Sequence, residues 1–118
     1  MRYIQGFLIP VPKENKDAYR ELAAKAAAIF QDYGALRVVE SWADDIPDGK
    51  VTDFKKAVLA KEGEAVVFAW TEWPDKQTCD AAASKMDSDP RWKEMPEMPF
   101  DSSRMIWAGF SPLFEAGS

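Results

Sequence analysis

Glu40 falls between Val38 and Trp42 on the mostly apolar face of a strand-like run, Ala35 to Ala43. A carboxylate in that position must pair with a cation, take up a proton or face a wet pocket, because desolvation penalises its charged form. Facing a pocket, it is a general base or an orienting acceptor. Paired, it is half of a structural ion pair. Arg104 precedes the last apolar run, Met105 to Phe110, and its guanidinium offers a two-pronged fork. Pairing with Asp101 or Glu40 and contact with an anionic ligand are both open to it. Trp42 and Trp107 stand on strand-like runs beside these polar residues. They would line an apolar pocket or fill a core or an interface. Glu40, Trp42, Arg104 and Trp107 are therefore the candidate ligand-binding residues, with Glu40 and Arg104 the candidate catalytic groups. A small apolar or aromatic acid is the ligand that would suit them.

Other chemistries are excluded by residue type. The 118 residues include no histidine, so a Ser-His-Asp or Cys-His nucleophile, a His-bearing zinc site and a haem with proximal His cannot be built. Asp44, Asp45 and Asp48 follow Glu40 at spacings that match no EF-hand loop. They are expected to form a solvated acidic turn, with no metal and no cofactor. Cys79 is the only cysteine, so no intrachain disulfide forms. It lies on an apolar helix stripe, as a buried and inert thiol would. The net charge of -5 is spread along the chain. There is no basic stripe, no RNP1-like run and no phosphate-binding glycine loop, so nucleic acid is not an expected partner. No apolar run approaches the ~20 residues that span a bilayer, and Gln5, Gly6 and Pro10 interrupt the first one before it resembles a signal peptide. A cytoplasmic protein of bacterial type is the expectation.

The elements that must position these residues follow from periodicity. Tyr3 to Val11 alternates as a strand, ended by Pro10 and Pro12. Asn15 is placed to cap a helix whose stripe is Tyr19, Leu22, Ala23, Ala26, Ile29, Phe30 and Tyr33, with Gly34 at its C′ position. A second strand carries Leu36, Val38, Glu40 and Trp42 on one face. Residues 50 to 56 are irregular, and Ala57 to Ala60 are expected as a short strand. Ala65 to Trp73 forms a third main strand, ended by Pro74, and Asp75 caps a second helix with stripe Cys79, Ala82, Ala83 and Met86. Asp89 and Pro90 open a one-turn helix. The last strand begins at Arg104, with Met105 and Trp107 on one face and Ile106, Ala108 and Phe110 on the other.

One domain over residues 1–118 with order β-α-β-β-α-β is the ferredoxin-like pattern: an antiparallel sheet with two helices on one face. Two helices cover one face only. The other also carries large apolar groups, which a monomer rarely exposes over so large an area. The expected remedy is a twofold homodimer with its sheets face to face.

Several segments recur together: Tyr3, Gly6 and Phe7 with Pro10 and Pro12; Ala43 to Asp45; Gly49 to Phe54; Val66 to Trp70; and Met98 to Asp101 followed by Arg104 to Trp107. In these the chain resembles the bacterial family filed as domain of unknown function 1428, over essentially its whole length. Position 108 is Ala where a second Gly is expected. That family is similar to the dimeric α/β-barrel superfamily, in which two ferredoxin-like sheets enclose a barrel. The resemblance implies a dimer and no particular reaction. Relatives on the fold include cofactor-free monooxygenases and muconolactone-type isomerases, linked here by fold analogy alone. Its haem-handling members use His, which this chain lacks. The expectation is a small-molecule-binding homodimer or cofactor-independent enzyme, and the alternative is a non-catalytic structural or regulatory dimer.

Overall fold

A computed structural model describes residues 2–117. Four strands, β1 (Tyr3–Pro12), β2 (Arg37–Trp42), β3 (Glu64–Trp73) and β4 (Ile106–Phe110), form one antiparallel sheet in the order β2-β3-β1-β4. Helix α1 (Lys16–Asp32) joins β1 to β2, a single turn α2 (Phe54–Ala57) lies between β2 and β3, and α3 (Lys76–Ser88) follows β3. This α+β arrangement is consistent with a ferredoxin-like fold. The chain ends, positions 1 and 118, lie outside the described residues. Among those residues no helix is long and apolar enough to cross a membrane.

Local chemistry sets the boundaries. Asp75 accepts from Thr78 N–H at 2.7 Å and starts α3, while Asp89 accepts from Arg91 N–H at 2.9 Å at the 3-10 turn Pro90–Glu94. Gly34, at φ +110°, closes α1 in the left-handed region that glycine adopts without strain. Asn15 precedes α1, but its side chain does not cap it; Nδ2 donates instead to Pro99 O at 2.9 Å.

Three expectations need correction. The short strand at Ala57 to Ala60 is not formed. Asp53 accepts from Lys56 N–H at 2.7 Å and from Gly49 N–H at 3.0 Å, which winds residues 54–57 into α2 instead. Val58 is then buried and Leu59 takes φ +50°. Pro10 does not end β1, which runs on to Pro12. Lys13 N–H donates to Gly63 O, so in this register the odd-numbered residues of β1 bond to β3. Pro10 and Pro12 turn their missing donors to the other side, past the point where β4 has ended at Leu8↔Ile106. Finally, Arg104 belongs to a 3-10 turn, Ser102–Arg104, and β4 starts two residues later.

The core lies between the sheet and the helices. Near one end Ile9, Val11, Val67 and Ala69 pack under Tyr19. Near the other, Trp73 is 1% exposed beneath Ile29, Tyr33, Cys79 and Ala82, with its indole N–H bonded to Gln5 Oε1 at 3.0 Å. The helices do not cover their whole face. Where α1 faces β2 and where α3 faces β4, the helix walls are alanines, Ala24 and Ala27 on one and Ala82 and Ala83 on the other, and a cleft remains at each sheet edge. All five residues of β4 are exposed, Trp107 on the helix side and Ile106, Ala108 and Phe110 on the opposite face. The opposite sheet face carries Phe68 at 49%, Ile106 at 46% and Phe110 at 57% exposure.

Candidate functional site

The α1–β2 cleft holds the most developed chemistry. Strand alternation turns Val38, Glu40 and Trp42 toward the helices, in register with Thr71, Ala69 and Val67 of β3. From α1, Tyr19 is buried and its hydroxyl donates to Glu40 Oε1. The cavity there is about 440 Å³, within the range of small-molecule sites. Glu40 remains reachable through the mouth of the cleft, yet the surrounding protein removes enough water to raise its pKa above the ordinary carboxylate value, while the Tyr19 hydrogen bond partly offsets this. Burial, then the charge of Glu40, then the hydrogen bond push the Tyr19 phenol far above its ordinary range. Tyr19 is thus a fixed neutral donor. Glu40 is a carboxyl able to exchange a proton with a group lying in the cleft.

Trp42 forms the floor near the mouth. Lys16 Nζ lies 5.4 Å from the centre of its ring, a cation–π contact. Arg20, also on the wall, pairs with Asp17 at 2.5 Å on the solvent side.

Arg104 is elsewhere. Its Nη1 and Nη2 reach the two carboxylate oxygens of Glu64 at 2.7 and 2.6 Å, Nε reaches Asp101 at 3.0 Å, and Nη1 also donates to Leu59 O at 2.9 Å. The Arg104 bonds hold the Glu64 carboxyl below its usual range, and Ser103 and then Arg104 bring that of Asp101 down to about 2. This fork ties the turn before β4 to the start of β3 and to the loop after α2. Pairing with Asp101 is among the arrangements expected from sequence; the second carboxylate is Glu64 and not Glu40. Asp101 itself accepts from Ser103 N–H at 3.0 Å, the turn-forming role expected of it.

Trp107 lines the other cleft, about 330 Å³, with Phe7, Cys79, Met86 and Met105. Glu40, Ala69, Phe7 and Trp107 form one cross-strand row on the helix side of the sheet. Three strand spacings, about 14 Å, separate its ends. The four sequence candidates therefore occupy three places: Glu40 and Trp42 together, Trp107 across the sheet, and Arg104 in an ion-pair network. Cys79 is buried, and that burial raises its thiol pKa and disfavours the thiolate. Asp44, Asp45 and Asp48 are exposed, Asp48 lying 3.7 Å from Lys55.

Sequence reasoning missed Tyr19 and Lys16. By spacing alone Tyr19 belongs to the apolar stripe of α1. A buried tyrosine still needs a partner for its hydroxyl, and Glu40 was the unexplained acceptor.

The curated relatives of this chain are full-length matches. "Uncharacterized protein YbaA" of Escherichia coli strain K12 is 59% identical over 116 residues, covering 98% of this chain and 99% of that protein. The protein of the same name from Shigella flexneri matches to the same extent. A solved structure titled "Structure of Rv0793 from Mycobacterium tuberculosis" aligns over 99% of this chain and 100% of its own with a TM-score of 0.44 and 14% identity. The family model described as protein of unknown function (DUF1428) matches residues 2–102. With that match and relatives at this identity, the chain belongs to the DUF1428 family.

Proposed function

We propose that this protein binds a small apolar or aromatic acid in the α1–β2 cleft, and that Glu40 is the proton acceptor or donor there. The observation that carries this reading is the Tyr19–Glu40 pair set in the wall of a 440 Å³ cavity. A carboxyl of raised pKa beside a fixed phenol, over a tryptophan floor, suits proton transfer at an acidic C–H or O–H of a bound molecule. An isomerase-like, cofactor-independent reaction follows most directly from that chemistry; a monooxygenase-like one rests on fold analogy alone. Trp42 supplies the stacking surface. Arg104 acts through the fold, by clamping Glu64 and Asp101, and Trp107 belongs to the second cleft.

In this reading the working unit is a homodimer of the dimeric α/β-barrel kind. Support comes from the open sheet face, where Phe68, Ile106 and Phe110 are about half exposed, with Ile4, Leu8 and Trp70 among them. Two such faces packed together would bury aromatic and aliphatic groups on both sides. The full engagement of Arg104 favours the second reading, a structural or regulatory dimer, at that one residue. The cavity favours the first.

Ligand-observed NMR against a panel of aromatic and branched aliphatic carboxylic acids separates the two. Binders that weaken in Glu40→Gln and Tyr19→Phe are expected. A panel without binders, or binders that both variants retain at full strength, contradicts the site.

A further inference from the structure

Polarity changes in one direction along the α1–β2 cleft. At the end where α1 begins, Lys16 stands over the Trp42 ring. One turn on, Tyr19 and Glu40 face each other. Beyond them the walls are Ala24, Ala27 and Val38, none of which carries a charge or a side-chain hydrogen-bonding group. Lys16 to Ala27 spans about 16 Å of helix, and Val38 to Trp42 about 13 Å of strand. The cleft is therefore a slot with Lys16 at one end, Glu40 and the Asp17-paired Arg20 in the middle, and an apolar wall at the other.

Lys16 is exposed at the mouth of the cleft, with the Trp42 ring as its cation–π partner. It stands where a 3-10 turn, Lys13–Asn15, runs into α1, its own N–H bonded to Lys13 O. Among the described residues no carboxylate lies within ion-pair distance of its ammonium group, whereas Arg20, the other cation on the wall, is held by Asp17. The unpaired charge of Lys16, set at the mouth of the cleft, favours an anion.

We infer that the cleft takes an elongated amphipathic carboxylate, with its carboxylate at Lys16, its body on Trp42 and its apolar end along Ala24 and Ala27. Lys16 is the residue that selects acids over neutral analogues of the same shape. This rests on the proposed reading of the cleft as a ligand site and sharpens it. The helical spacing between Lys16 and Tyr19, about 4.5 Å along the axis, sets Glu40 against the part of the ligand next to its carboxylate.

Calorimetric titration with 4-phenylbutyrate, 4-phenylbutanol and 4-phenylbutylamine tests it on the wild type and on Lys16→Met, Lys16→Arg and Ala24→Leu. The acid is expected to bind at least about tenfold more tightly than the alcohol, with the amine weakest. Lys16→Met should erase the preference for acid over alcohol without weakening the alcohol, and Lys16→Arg should restore it. Ala24→Leu, which fills the slot, should abolish binding of all three. If acid and alcohol bind equally, or Lys16→Met leaves their ratio unchanged while Ala24→Leu still blocks both, the assignment of Lys16 is overturned and the cleft stands as a ligand site. Binding of the acid that survives Ala24→Leu overturns both, and no binding of any of the three to the wild type overturns the inferred ligand class.

Discussion

At the scale of single residues, the pair that decides the account is Tyr19 and Glu40. Desolvation raises the folded-state pKa of Glu40 above its ordinary value, so the folded chain binds more protons than the unfolded one across that window. Glu40 therefore contributes most to stability at low pH, and that contribution is lost as pH rises through its folded pKa. Glu40→Gln mimics the protonated form. It should raise the melting temperature at pH 8 relative to wild type, with the difference shrinking toward pH 4 in a series of thermal melts. The Tyr19 hydrogen bond works against the shift. Tyr19→Phe should accordingly move the Glu40 carboxyl titration further up, measured by carboxyl ¹³C NMR, at a cost of about 1 kcal/mol for the lost hydrogen bond. Glu64 and Asp101 run the other way: their depressed pKa values add stability above the unfolded range that is lost as pH falls. Glu40 was legible in the sequence because a carboxylate broke an apolar alternation. Its partner was not, because a tyrosine on a helix stripe satisfies the apolar pattern by its ring and the polar pattern only by its hydroxyl.

At the scale of elements, alanine does much to shape the site. The α1 stripe called for a helix packed on the sheet, and Ile29, Tyr33 and Tyr19 do pack. Ala24 and Ala27, between those anchors and β2, have too little volume to close the edge. Periodicity marks where a helix faces the sheet but not how much space its side chains leave. For the same reason the clefts were illegible while the strands and both long helices were readable. Filling the slot is the corresponding test. Ala24→Leu should leave the melting temperature unchanged or higher, since Ala24 is exposed in the cleft, while abolishing binding of cleft ligands. The misplaced strand at Ala57 to Ala60 has a similar origin: Asp53 captures two backbone N–H groups and dictates a turn of helix that residue propensities did not indicate. Arg104 also acts at this scale. Arg104→Ala should lower the melting temperature by freeing Glu64 and Asp101 from their clamp, and Arg104→Lys should recover only part of the loss, since an ammonium cannot make the two-pronged contact.

At the scale of the whole molecule, the chain is a slab 38 × 38 × 23 Å. Its short dimension suits one helix layer on one sheet layer, each about 10 Å thick. In a single copy Phe54 of α2 packs edge-on against Phe68 and Val66 is buried, yet Phe68, Ile106 and Phe110 stay about half exposed on the far face of the sheet. The last strand shows what a sequence can and cannot say about this. Its apolar residues on both faces indicate a need for cover on both sides, and in one copy neither face is fully covered. Sedimentation should therefore find a dimer at micromolar concentration. Phe68→Glu, a charge placed in the middle of that face, should convert it to a monomer with its far-ultraviolet circular dichroism intact. A well-folded wild-type monomer would contradict the assembly while leaving the cleft, which opens on the helix side, untouched.

The central claim is that the α1–β2 cleft is where this protein meets its ligand. Equilibrium dialysis of a bacterial metabolite extract against the wild type and against Ala24→Leu, read by mass spectrometry, addresses it without prior choice of ligand. The account predicts small organic acids enriched with the wild type and absent with the filled cleft. The same compounds retained by both proteins, or none retained by either, would contradict it.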